Sequence, residues 1–103
     1  MHGIISTVGD GMVIDMLTEQ RRVKRQNKRA IKVGGVATLS VGHWMLRLAQ
    51  FHFRCAYCGR PFETMDHVLP ISCGGPTTFY NVVPACEECN KQKGAAVWLP
   101  AKL

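Results

Sequence analysis

Cys55-Ala-Tyr-Cys58 and Cys86-Glu-Glu-Cys89 are two C-x-x-C pairs with 27 residues between them, which leaves Cys73 over. Two such tight turns can surround one Zn²⁺ tetrahedrally, each pair supplying one edge of the tetrahedron. The same residues could close two disulfides or form a thioredoxin-like redox pair. No βαβ pattern surrounds either C-x-x-C, and five cysteines in 103 residues fall below the density of a disulfide scaffold. A structural four-cysteine zinc site at Cys55, Cys58, Cys86 and Cys89 is therefore expected, with the long gap enclosing a subdomain. Loaded with zinc, four thiolates make the site a net anion, so attraction to phosphate must come from elsewhere.

Between the pairs lie residues suited to hydrolysis. Asp66-His67 is followed after fourteen positions by Asn81 and after nine more by Asn90, directly after Cys89. An Asp and an Asn can offer oxygen ligands to a hard ion such as Mg²⁺, and a neutral His can take a proton from water. Each residue alone has a plainer reading: a lone His is more often structural, and an Asn after a knuckle can cap a helix. His43 and His52 have no ligand partner at metal spacing and read as structural or surface residues.

The formal net charge is +6, and all of the excess lies before Cys55, where nine Lys/Arg face three acids; residues 55–103 hold four of each. A basic block of this kind suits a polyanion, nucleic acid or an acidic membrane surface. The near-average composition, 47% hydrophobic and 19% charged, fits one folded domain with an arm. No apolar run approaches the roughly 18 residues of a membrane span. Met1–Leu17 carries Asp10, Asp15 and three glycines without a basic start, which makes a poor signal peptide, so a cytoplasmic location is expected.

The elements that would position these groups can be read in outline. Residues 1–11 show no clear periodicity and read as a flexible arm. Residues 12–33 read as a helix whose seven basic residues, Arg21, Arg22, Lys24, Arg25, Lys28, Arg29 and Lys32, fall within an arc of about 160°, opposite Val23, Asn27, Ala30 and Ile31. The run from Arg21 to Lys32 contains no acid, which favours contact with DNA over an ordinary solvated face. Gly34-Gly35 breaks it. Ser40 or Thr38 can cap a second helix over Val41–His52 with a core stripe of Val41, Trp44, Met45, Leu48 and Phe51 or His52. Thr64–Leu69 and Phe79–Val83 read as strands closed by Pro70 and Pro84, and Glu87–Val97 as a last helix.

The segments Cys55-Ala-Tyr-Cys58-Gly59, Asp66-His67-Val68-Leu69-Pro70, Gly74-Gly75, Asn81-Val82-Val83-Pro84-Ala85-Cys86 and Cys89-Asn90-Lys91-Gln92-Lys93, in this order, resemble the HNH endonucleases. The likeness is closest to the small zinc-stapled members common in bacteriophages and mobile elements. It covers about 40 residues strongly and extends more weakly upstream through the basic helix, Ala37-Thr38-Leu39-Ser40 and Trp44. The resemblance implies an α+β, ββα-metal core stapled by zinc and preceded by two helices. The domain reading is an N-terminal arm over 1–11, a helical basic DNA-binding extension over 12–54 and a nuclease core over 55–103.

By the same resemblance His67 is the general base, Asp66 and Asn90 hold Mg²⁺ or another divalent ion such as Mn²⁺, and Asn81 braces the loop and orients His67. Asn90 stands where other members carry His, which favours an oxygen-liking ion. Lys93 is placed near a phosphate. The implied activity is hydrolysis of DNA phosphodiesters to 5′-phosphate and 3′-hydroxyl ends, by nicking as a monomer and by double-strand cleavage as a dimer or through successive nicks. Because His67 must be neutral, activity should rise from acid toward neutral pH, with a nearby Mg²⁺ moving the midpoint down. The residues leave open a homodimer and a phage-packaging or host partner protein. They also leave two other classes, a zinc-stapled nucleic-acid-binding module without catalysis and a redox or purely structural zinc protein, although binding alone requires neither Asp66, His67 nor Asn90.

Overall fold

The computed structural model describes residues 5–8 and 12–100. Strands β1 (Ile5–Val8) and β2 (Met12–Asp15) pair antiparallel, with Ile5 opposite Asp15 and Val8 opposite Met12. The expectations of an arm over 1–11 and of a helix from residue 12 give way here to a hairpin; residues 1–4 and 9–11 lie outside the described residues. Helix α1 (Met16–Lys32) begins only where Asp15 can cap it, its carboxylate accepting the Leu17 N–H at 3.0 Å. Helix α2 (Val41–Gln50) is capped by Ser40, whose Oγ accepts the His43 N–H at 3.1 Å.

The expected arc of α1 holds on its inner side, where Glu19, Val23, Gln26 and Ala30 are buried. Glu19 survives burial because it accepts from the Trp44 indole at 2.9 Å and pairs with Arg22 at 3.0 Å. Ile31, expected to be inward, stays exposed beside Lys24 and Lys28. From α2 come Trp44 and Leu48, both fully buried. They join Ile14, Val23 and Leu39 on one side and Phe62, Met65 and Val82 on the other in a single apolar cluster.

The exit from α2 is tight. His52 and Phe53 take left-handed backbone (φ 55° and 57°), a region that residues with a Cβ enter at a cost, and this turn delivers the chain to Cys55. Strand β3 (Thr64–His67) then pairs antiparallel with β4 (Val82–Ala85), placing Asp66 opposite Val83 and His67 opposite Val82. The second strand therefore begins three residues later than expected, ends two later and runs through Pro84. A two-stranded sheet leaves one side of each strand free, where a residue lacking an N–H fits. Strand β3 ends at His67, two residues early, because the following chain turns into a loop. There Gly75 packs so closely that a Cβ would overlap the Leu69 carbonyl oxygen, and its N–H bonds Pro70 O at 2.9 Å. Helix α3 (Glu87–Lys93) ends at Gly94 (φ 53°), four residues short of the expected Val97.

Arg47 ties these parts together. Its Nε donates to Val82 O at 2.9 Å, and its guanidinium lies 5.0 Å from the Phe79 ring centre and 5.6 Å from that of Phe51. No helix among the described residues is long and apolar enough to cross a membrane.

Candidate active site

The four sulfurs come together. The Sγ atoms of Cys55, Cys58, Cys86 and Cys89 lie within 4.8 Å of one another, and Cys58 Sγ is 3.7 Å from Cys86 Sγ. Zn–S bonds of about 2.3 Å give a tetrahedron with edges of about 3.8 Å, so the cluster fits a metal ion such as zinc. Each knuckle also turns an N–H onto its first sulfur, Tyr57 N onto Cys55 and Cys89 N onto Cys86, both at 3.4 Å. Burial pushes the Cys55 thiol up, but backbone N–H groups of Cys86, Tyr57 and Cys58 outweigh it and bring the group down to about 7. Cys73 is exposed and stands apart from this cluster.

Neighbouring positions on a strand face opposite sides. Asp66 accordingly meets the knuckle and α3: its Oδ2 accepts the Tyr57 hydroxyl at 2.7 Å and lies 3.3 Å from the Lys93 ammonium. His67 meets the other side, its Nε2 2.9 Å from Thr77 Oγ1, which itself donates to Gln26 O at 3.3 Å. Around the end of β3 the two residues share a cleft of about 260 Å³ with Arg29, Ser72, Asn90 and Lys93. Asp66 and Asn90 thus offer a carboxylate and an amide oxygen on one cavity. Tyr57 and Lys93 both engage Oδ2, which leaves Oδ1 of Asp66 as the carboxylate oxygen open to an ion. A hard oxygen-liking ion fits such a donor set.

Electrostatics keeps His67 neutral. Burial, then the charge of Arg29 and then that of Lys93 lower it from 6.5 to about 4. A group that titrates lower when folded stabilises the fold fully above its unfolded value and loses that contribution as pH falls toward the folded one. His67 should therefore cost stability, of order 3 kcal/mol, as pH drops from about 6.5 to about 4. Urea unfolding of wild type and His67→Gln across this range checks it: the stability of wild type relative to His67→Gln should fall as the solution becomes acidic, because Gln does not titrate there. Tyr57 is held as a protonated donor, its phenol pushed up by burial and by the adjacent Asp66.

Asn81 uses both ends of its amide. Its Oδ1 accepts Leu69 N at 2.9 Å, and its Nδ2 donates to Leu69 O at 3.0 Å and Pro76 O at 2.9 Å, which clamps the two ends of the loop. It bonds the loop rather than the His67 ring. Lys93, expected at a phosphate, is instead 2% exposed, donating to His67 O at 2.9 Å as well as facing Asp66. Arg22 is likewise turned inward, donating to Glu63 O at 2.8 Å and lying over the Phe62 ring. Arg21, Lys24, Arg25, Lys28, Arg29 and Lys32 are exposed, and Arg29 stands at the cleft with its Nη1 on Gln26 Oε1 at 2.7 Å. The parts played by Tyr57, Thr77 and Gln26 are not legible in the motifs. Only Tyr57 carries a signal, since a knuckle tip two residues from Cys55 must face whatever the metal turn packs against.

Hairpin β3–β4 running into α3, with the cleft at their junction and a four-sulfur cluster beside it, defines a ββα-metal unit. Residues 55–96 match the family model described as HNH endonuclease. Over 53 residues the chain is 42% identical to the CRISPR-associated endonuclease Cas9 of Corynebacterium diphtheriae, a match taking in 44% of this chain and 5% of that protein. The chain thus spans a small fraction of that relative's length. The segment 55–96 is thus similar to the HNH endonucleases, and it carries a four-cysteine cluster.

Proposed function

We propose that this protein is a divalent-metal-dependent DNA endonuclease that hydrolyses phosphodiester bonds to 5′-phosphate and 3′-hydroxyl ends. The observation that carries the reading is a neutral His67 beside Asp66 and Asn90 on one cleft, with Arg29 at its edge. His67 accepts the proton of the attacking water. Asp66 and Asn90 hold Mg²⁺ or Mn²⁺, which when bound supplies charge neutralisation at the phosphate and stabilisation of the leaving 3′ oxygen. Tyr57 and Lys93 fix the Asp66 carboxylate, and Asn81 holds the loop that follows His67. Zinc on Cys55, Cys58, Cys86 and Cys89 is structural. One cleft cuts one strand, so a single chain nicks, and a double-strand break needs two chains or two encounters.

Supercoiled plasmid incubated with Mg²⁺, with Mn²⁺ and with chelator tests this. Relaxed circles should form first with either ion and not at all with chelator. Plasmid that is bound and retarded but stays supercoiled in both ions would reject the enzyme in favour of a binding module.

The exposed basic residues of α1 are the proposed DNA-binding groups. Neutralising Arg21, Lys24, Arg25 and Lys28 should weaken binding about equally across sequences. It should also flatten the salt dependence of affinity, by about 0.9 in log–log slope for each phosphate no longer neutralised. Arg22→Ala should leave that slope unchanged and lower stability instead, because its guanidinium already serves Glu19 and Glu63. Filter binding or fluorescence anisotropy over a salt series reads the slopes, and thermal unfolding reads the stability.

A further inference from the structure

We infer that Thr77 is a positioning residue that sets the tautomer of His67, holding the ring proton on Nε2 and leaving Nδ1 as the basic nitrogen. Thr77 is fully buried, so its hydroxyl depends on protein partners. It has two within reach: His67 Nε2 at 2.9 Å and Gln26 O at 3.3 Å. A hydroxyl has one proton, and a carbonyl oxygen only accepts. With the proton given to Gln26 O, Thr77 Oγ1 can only accept from the ring, and Nε2 must carry the hydrogen. The opposite arrangement would leave two acceptor oxygens facing each other in a buried site, which low dielectric makes unfavourable.

The main chain of Thr77 is fastened to the same part of the molecule. Its N–H donates to Val36 O at 2.8 Å, and its carbonyl accepts from Thr38 N at 3.0 Å and Leu39 N at 3.2 Å. The residue therefore cannot follow His67 if the ring turns; the ring must conform to it. Gln26 completes the linkage, since its carbonyl receives Thr77 while its side chain holds Arg29 at the cleft. The basic helix α1 thereby dictates which imidazole nitrogen has a lone pair. The use of Nδ1 as proton acceptor rests on the endonuclease reading; the tautomer does not.

The test uses the zinc-loaded full chain, ¹⁵N-labelled at histidine and free of Mg²⁺. Long-range ¹H–¹⁵N spectra at neutral pH should show the Nε2–H form for His67, identified by its loss in His67→Gln. In Thr77→Val the resonances should move toward a mixture of tautomers, and plasmid cleavage should fall by about 10- to 100-fold with DNA affinity unchanged. Thr77→Ser, which keeps the hydroxyl, should restore both tautomer and rate. An Nδ1–H form in wild type overturns the inference, even if Thr77→Val fails to fold. So does a Thr77→Val protein with wild-type tautomer and rate. An Nε2–H wild type that cuts no DNA with Mg²⁺ or Mn²⁺ would support the tautomer assignment and reject the endonuclease reading.

Discussion

Replacing His67 with alanine should lower plasmid cleavage by roughly 10²–10⁴-fold, the range that a general base contributes. Zinc content and DNA affinity should stay as in wild type. The ring is buried beside Thr77, yet Thr77 keeps its bond to Gln26 O and Asp66 keeps both its partners when the ring is gone. The remaining rate reflects charge stabilisation at the phosphate without proton transfer to a protein group. Asp66→Ala and Asn90→Ala should differ in kind, with activity partly regained at high Mg²⁺, because both are proposed to act through the ion. Single-turnover cleavage at saturating DNA across an Mg²⁺ series separates the two classes. Wild-type rates in His67→Ala would remove His67 from the chemistry and leave a module that only binds.

Changing Cys86 to serine should remove the metal and unfold the ββα unit. Cys86 does two things: its sulfur belongs to the four-sulfur cluster, and it caps α3 by accepting Cys89 N. Helix α3 has only seven residues, too few to persist alone in water. The apolar groups around the knuckles, Phe51, Ala56 and Val83 in one cluster and Cys55, Ala85 and Cys86 in another, are small. Structural zinc can contribute about 10–16 kcal/mol to folding in units of this kind. Elemental analysis should find one zinc per chain in wild type and none in Cys86→Ser, with loss of the cooperative thermal transition. Cys73→Ser should change neither measurement. A folded wild type that contains no metal would refute the role given to the cluster.

How much can be read from the sequence depends on how local each signal is. Cys55, Cys58, Cys86 and Cys89 stand out because a metal imposes residue type and spacing together, and Asp66, His67 and Asn90 follow from their order relative to the pairs, the first two between them and Asn90 directly after the second. Trp44 and Leu48 are legible because a helix repeats every 3.6 residues. The β1–β2 hairpin is not, since four-residue strands carry too few positions to establish a period of two. Pro84 reads as a stop because a proline ends most strands; its place on the free side of a two-stranded sheet is a fact of pairing. The inward turn of Lys93 and Arg22 is hidden for the same reason as the roles of Thr77 and Gln26. A residue's type tells what it can bond, while partners 26, 41 and 51 positions away decide what it does bond.

The shared apolar cluster bears on any attempt to move this ββα unit to another scaffold. Phe62, Met65 and Val82 belong to the unit, but they are roofed by Ile14, Val23, Leu39, Trp44 and Leu48. Val82 O and Glu63 O are served by Arg47 and Arg22 from outside it. A cassette cut at residue 54 would carry the four sulfurs and the cleft yet leave a wet, sticky underside and orphaned carbonyls. The transplantable piece is therefore larger than the motif: it has to bring the two helices, or the host must offer a lid with the same apolar footprint and two guanidinium-like donors.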